Sequence, residues 1–294
     1  MDARDLFYTP EGGLRAVWRL VGFAVAAALV MALVSAVMST AAAMRGVGEG
    51  SLLGAMLVFS GAAVLSLAAA HFMMVRVVDE LPWRAVWLDA RALAPRTLAW
   101  AGVLGAAAIA LPALALLSAG WLDAIHAPGS TVDALRYAGV MLLVLLPAAA
   151  WEELLFRGYA LRVLHDALGA WPAVLITSVA FGAAHATNLP SVHPLAVALV
   201  TLAGIFLGWI VLARRSLYAA IVAHVAWNAV LVAALHTEVS GAALGAAPAY
   251  RIVDAGPDWA TGGPWGPEGG LAAGAGLTAA LLITLSRRGS REER

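Results

Sequence analysis

Runs of about 20 apolar residues recur along this chain, and they decide what it can fold into, because a helix of that length crosses the roughly 30 Å of a bilayer's hydrocarbon. Such runs fall at residues 19–44, 52–75 and 98–121, within 135–168, and at 171–186, 195–213, 217–235 and 271–285. In lipid the backbone has no water to bond to, so helices that satisfy their own N–H and C=O groups are the expected solution. The expected fold class is therefore all-α, a polytopic transmembrane helix bundle of about eight spans, with residues 1–294 as a single membrane domain. Composition agrees, with 62% hydrophobic and 12% charged residues, against roughly 45–50% and 25% in soluble domains. The absence of cysteine rules out a disulfide framework and a thiolate metal site, and a net charge of zero gives no reason to expect nucleic acid as a partner. The first run is long, follows a polar segment and lacks a small-residue cleavage site, so it is expected to stay as a span and not be removed as a signal peptide.

Arginines near span ends mark the side retained in the cytoplasm. Arg4, Arg15 and Arg19 precede the first run; Arg76, Arg84, Arg91 and Arg96 fill the second connection, Arg214 and Arg215 the sixth, and Arg287, Arg288, Arg291 and Arg294 the tail. The alternate connections carry only Arg45, Arg136 and Arg251. The expectation is an integral membrane protein of a bacterial-type plasma membrane with both termini cytoplasmic. Residues 1–18 are then a cytoplasmic N-terminal segment, 286–294 a cytoplasmic tail, and 237–270, rich in Gly, Pro and Ala, an extramembrane loop.

Ionisable groups inside such spans carry the functional signal, because each costs roughly 2.5–3.5 kcal/mol at a helix centre on insertion scales. Trp151-Glu152-Glu153-Leu154-Leu155-Phe156-Arg157-Gly158 sets two carboxylates and a guanidinium between apolar runs. Glu153 and Arg157 are four apart with the acid first, the spacing of a same-face ion pair. Glu152, turned by about 100° on the helix, points elsewhere and is expected to be free of that pair. Phe181-Gly182-Ala183-Ala184-His185 puts an imidazole on a small-residue stretch, and His224 and Asn228 share one helix face further on. Singly, each of these reads as polar glue between helices; together, in this order, they read as a site. His71, His126, His193 and His236 lie near predicted span ends and receive no role.

The order EExxxR, FxxxH, HxxxN on successive membrane helices resembles the CPBP family, the CAAX prenyl endopeptidases and bacteriocin-processing enzymes also called the Abi family. The resemblance covers about residues 135–236, the expected catalytic core helices, and Glu152, Glu153, Arg157, Phe181, His185, His224 and Asn228 all match its motifs. It implies a membrane-embedded endopeptidase hydrolysing a peptide bond of a membrane-associated or lipidated, CAAX-like peptide or protein, working in the lipid bilayer. By the same implication Glu152 and His185 activate the attacking water, His224 and Asn228 stabilise the oxyanion, and Glu153, Arg157 and Phe181 support them.

No cofactor is required by this reading. Glu152, His185 and His224 nevertheless form a two-His, one-carboxylate set of the kind zinc accepts, although HExxH is absent, so both glutamate-type and metallo-type chemistry are open. Two other functions compete, a non-catalytic scaffold or immunity protein and a proton-coupled transporter. The transporter should show paired broken helices, whereas Pro147 offers one break only. Counted from a turn near Gly169, Glu152 and His185 come level about 25 Å along a hairpin. With that turn cytoplasmic, the site falls toward the outer side, so either the helix after Arg157 bends into the interface and shortens that distance or the substrate is not a cytosolic tail.

Overall fold

The structure, a computed structural model, describes residues 3–44, 52–186, 188, 193–244 and 248–292. Arg45 and Arg294 therefore lie outside the described residues. The chain runs α1 (Ala3–Phe7), α2 (Ala16–Met44), α3 (Leu52–His71), α4 (Pro95–Ser118), β1 (Leu122–His126), α5 (Thr131–Arg157), α6 (Tyr159–Leu168), α7 (Ala170–His185), α8 (Pro194–Arg214), α9 (Leu217–Ala229), β2 (Tyr250–Asp254), α10 (Asp258–Thr261) and α11 (Leu271–Glu292). It is an all-α membrane bundle. Six helical stretches are long and apolar enough to cross a membrane, and two apolar helices, Ala170–His185 and Leu271–Ser286, are shorter. Val21, Val25, Leu29, Leu33 and Val37 stand exposed at four-residue spacing along α2, an apolar stripe suited to lipid.

Local chemistry sets the helix ends. Ser130 accepts from the Asp133 N–H while the Asp133 carboxylate accepts from the Ser130 N–H, a capping box that starts α5. Arg215, in the left-handed region at φ 51°, ends α8, and Ser216 caps α9 through the Ala219 N–H at 3.1 Å. Pro147 does not break its helix; α5 runs through it, and the interruption comes at Gly158. The break frees the Tyr159 N–H, which donates to His71 Nε2 at 3.0 Å from the end of α3. A Cβ at position 158 would stand 2.2 Å from that nitrogen, so the approach requires glycine.

Small residues bring the helices together, as membrane packing without a hydrophobic drive demands. A Cβ on Gly105 of α4 would lie 2.3 Å from the Ala223 carbonyl oxygen of α9, and one on Gly182 of α7 would lie 2.1 Å from Thr201 Oγ1 of α8. The arginine-rich connections gather on one face. Leu217 N–H donates to the Trp87 carbonyl at 3.1 Å, Ser216 Oγ to the Ala92 carbonyl at 2.6 Å, and Arg162 Nη1 to the Ala85 carbonyl at 3.1 Å. Arg19 pairs with Asp79, which also accepts from Tyr159 Oη at 2.7 Å.

The opposite face carries more structure than a plain loop. β1 and β2 pair antiparallel, Leu122 opposite Asp254 through His126 opposite Tyr250. After α10 the chain makes two tight turns in which Trp265 to Gly270 are all buried against the bundle.

Candidate active site

The last turns of α5 hold two carboxylates with different surroundings. Glu153 and Arg157 are both wholly buried, and Arg157 Nη1 donates to Glu153 Oε1 at 3.0 Å. The same oxygen lies 3.0 Å from His224 Nδ1, so one carboxylate ties α5 to α9. The Arg157 guanidinium stacks on the Phe181 ring at 4.1 Å, an arrangement that stabilises a desolvated cation. It has room because α8 presents Gly204, where a Cβ would stand 2.9 Å from Arg157 Nη2.

Glu152 faces the other way. Its Oε2 is buried with no hydrogen-bond partner among the described residues, and it lies 3.9 Å from both His185 Nε2 and His224 Nε2. The partners on the far side of each ring fix the tautomers. His185 Nδ1 sits 2.8 Å from the Phe181 carbonyl, which can only accept, so Nδ1 carries the proton. His224 Nδ1 meets a carboxylate paired with arginine and must also donate. In their neutral forms both imidazoles therefore present Nε2 lone pairs toward Glu152. Asn228, buried and one turn beyond His224, lines a cavity of about 40 Å³ together with both histidines. That volume holds water, since roughly 10–15 Å³ suffices for one molecule.

The structure thus sets Glu152 beside His185 and His224, lines one cavity with those two histidines and Asn228, and places Glu153, Arg157 and Phe181 in contact behind them. Three further residues belong to this site: Glu268 and Ser240, which drew no notice in the sequence, and His71, which was noted there without a role. Glu268 and Ser240 line the cavity from beyond residues 135–236, and Glu268 Oε2 accepts from Trp227 Nε1 at 2.9 Å. His71 braces the Gly158 break just past the EExxxR turn. The motif FxxxH gains a local reason, for Phe181 offers its carbonyl to His185 and its ring to Arg157.

Leu217 and Arg162 are bound to the Ala85–Trp87 stretch of the arginine-rich face. His224 is seven residues beyond Leu217 and Glu152 ten before Arg162, about 10 and 15 Å along their helices. Counted along the chain, the site thus lies about 10–15 Å from those contacts.

As they stand, the three donors are spaced more widely than the ligands of one zinc ion. Two ligands of one tetrahedral zinc lie about 3.3 Å apart when each is at 2.0–2.1 Å. Glu152 Oε2 stands 3.9 Å from either imidazole, and no group of three His, Asp or Glu among the described residues is arranged to hold a metal ion.

No curated protein and no solved structure matches the chain. The family model described as Rce1-like, type II CAAX prenyl endopeptidase, matches residues 134–230, the stretch that supplies Glu152, Glu153, Arg157, His185, His224 and Asn228. With its motifs gathered beside one buried carboxylate inside a bundle of apolar helices, this third of the chain is similar to CAAX-type membrane proteases, which supports a CPBP-family assignment.

Proposed function

We propose that this protein is an intramembrane endopeptidase of glutamate type that cleaves a membrane-associated or lipidated, CAAX-like peptide or protein. The observation that carries the reading is the unpartnered, buried Oε2 of Glu152, equidistant at 3.9 Å from two imidazole nitrogens. A water about 2.8 Å from the carboxylate oxygen and from an Nε2 subtends an angle of about 90° between them, close to its own bond angle, so it can donate to both. Glu152 takes the proton as the water attacks the scissile carbonyl, and His185, oriented by the Phe181 carbonyl, holds the water in line. The carboxyl then returns the proton to the leaving amine.

Charge developing on the carbonyl oxygen needs donors. The Asn228 amide supplies one. His224 supplies the other in its doubly protonated form, for which Glu153, held in turn by Arg157, is the counter-charge. In a water-poor cavity such fixed donors act at full strength because nothing reorganises when charge appears.

The test is hydrolysis of a fluorogenic panel of prenylated peptides and membrane-segment peptides by the purified protein and its Glu152→Ala variant, with and without chelator. Cleavage by the parent alone, insensitive to chelator, supports the glutamate-type reading. Cleavage abolished by chelator together with loss of a stoichiometric metal moves the chemistry to that metal. No cleavage of any peptide by either folded protein removes the peptidase reading.

A further inference from the structure

The cavity between His185, His224 and Asn228 measures about 40 Å³, whereas a pocket that receives a ligand of a few residues takes roughly 300–1,000 Å³. A peptide therefore enters only after a wall moves. Most of the lining comes from the helices α7, α8, α9 and α11, whose small-residue contacts lock them together. Ser240 and Glu268 are the part of the wall that lies outside these four helices among the described residues.

Those two residues are bound to each other and to the catalytic helix. Glu268 Oε1 accepts from the Ser240 N–H, and its Oε2 accepts from Trp227 Nε1 at 2.9 Å. The Gly241 N–H donates to the Trp265 carbonyl at 3.2 Å, joining the same two stretches. The turn itself is built on glycines in the left-handed region, Gly262 at φ 92° and Gly266 at φ 89°, and a Cβ at Gly262 would meet the Gly266 carbonyl oxygen at 1.8 Å. Besides that backbone bond and the packing of Trp265 against Phe181, Ala196 and Val200, one buried carboxylate ties the turn to α9, and it grips the residue that precedes Asn228.

We propose that Glu268 is a positioning residue that latches the turn 262–270 over the catalytic cavity, and that a peptide reaches the site when this latch is released. The inference rests on reading the cavity as the peptidase site. With the latch closed, Trp227 is fixed and Asn228 and His224 are held toward the cavity on the same helix; with it open, the wall formed by Ser240 and Glu268 parts from α9.

The chain contains no cysteine, so an Ala203→Cys variant carries a single thiol on the α8 wall of the cavity. Its rate of reaction with a charged methanethiosulfonate reads access directly and needs no hydrolysis. In the full-length protein, adding Glu268→Ala should raise that rate tenfold or more, and Glu268→Gln, which can accept only one of the two hydrogen bonds, should fall between. Trp227→Phe, which removes the donor and keeps the ring, should raise it as well and serves where Glu268→Ala does not fold. Equal labelling rates in the parent and all three variants overturn the latch and place the opening elsewhere. If the labelling pattern holds while no peptide is cleaved, the latch stands and the peptidase reading falls. Should cleavage be seen, Glu268→Gln is expected to change KM more than kcat, since the residue touches no reacting atom.

Discussion

Glu152 and Glu153 are adjacent, both acidic and both deep in the bundle, yet the structure predicts opposite responses to the same isosteric change. Glu153→Gln removes the negative charge that faces Arg157 at 3.0 Å and His224 Nδ1 at 3.0 Å. Arg157 is wholly buried, and its Nε and Nη2 have no other hydrogen-bond partner among the described residues. Removing one member of such a pair costs about 3–5 kcal/mol in soluble proteins. Polar contacts between membrane helices run weaker, so we take the low end, about 3 kcal/mol, or roughly a hundredfold in the unfolding equilibrium at about 1.4 kcal/mol per decade. Glu152→Gln replaces a carboxylate oxygen without a hydrogen-bond partner, and its stability should stay within about 0.5 kcal/mol of the parent, the range of changes that break no native contact. Its hydrolytic rate should fall by about 10²–10⁴, the contribution of a positioned general base. The assay is unfolding in mixed micelles with rising fractions of sodium dodecyl sulfate, run beside peptide cleavage. A Glu153→Gln/Arg157→Met double variant should recover part of the lost stability, because no uncompensated charge remains. Equal destabilisation by the two glutamine variants, or a double variant as unstable as the sum of its singles, would refute this division of roles.

Asn228→Ala should lower kcat by about 10²–10³ with KM little changed, the pattern of a lost oxyanion donor, measured by steady-state kinetics on a cleaved peptide. Gly105→Val should lower stability by about 1–3 kcal/mol through overpacking and reduce activity with it, since the new side chain meets the Ala223 carbonyl beside His224; a thermal melt in detergent checks the first effect. His71→Ala leaves the Tyr159 N–H unpaired in a buried site, at a cost of about 1–3 kcal/mol, and His71→Gln, which restores an acceptor, should recover part of it in the same melt. Exhaustive dialysis against a chelator should leave kcat unchanged while elemental analysis finds less than stoichiometric zinc.

Charges set in apolar runs are conspicuous because lipid excludes them, and this is why Glu152, Glu153, Arg157, His185, His224 and Asn228 could be picked out without a structure. The i, i+4 rule paired Glu153 with Arg157, and the 100° step separated Glu152 from that pair. Which residue of a distant helix meets which carboxylate is a matter of tertiary register, so the contact of His224 with Glu153 was not legible. Glu268 lay hidden for another reason: in a Gly- and Pro-rich stretch a carboxylate shows no periodicity, and nothing local tells a buried turn from an exposed one. The break offers a subtler lesson. Proline was the expected interrupter, but in α5 the chain passes Pro147 and stops at Gly158, because His71 supplies the acceptor that the freed N–H requires. The pairing of β1 with β2, more than a hundred residues apart, has no local signature.

Two adjacent carboxylates solve a problem particular to a hydrolytic site in lipid. A single buried acid has to be either neutralised by a partner, and so lost as a base, or left unpaired, and so free to drift toward any donor. Here Glu153 satisfies the arginine and one imidazole, and in doing so fixes the relative positions of α5 and α9 through bonds that lipid cannot replace. Glu152, one residue earlier, inherits that placement without spending its own oxygens on it. Its distance of 3.9 Å to each Nε2 is therefore set by contacts in which it takes no part, which is the condition for a base to be held in place and yet remain unsatisfied until a water and a peptide arrive. The arginine, for its part, is stacked on Phe181 and paired with Glu153, so its charge is taken up on the side of α5 away from Glu152.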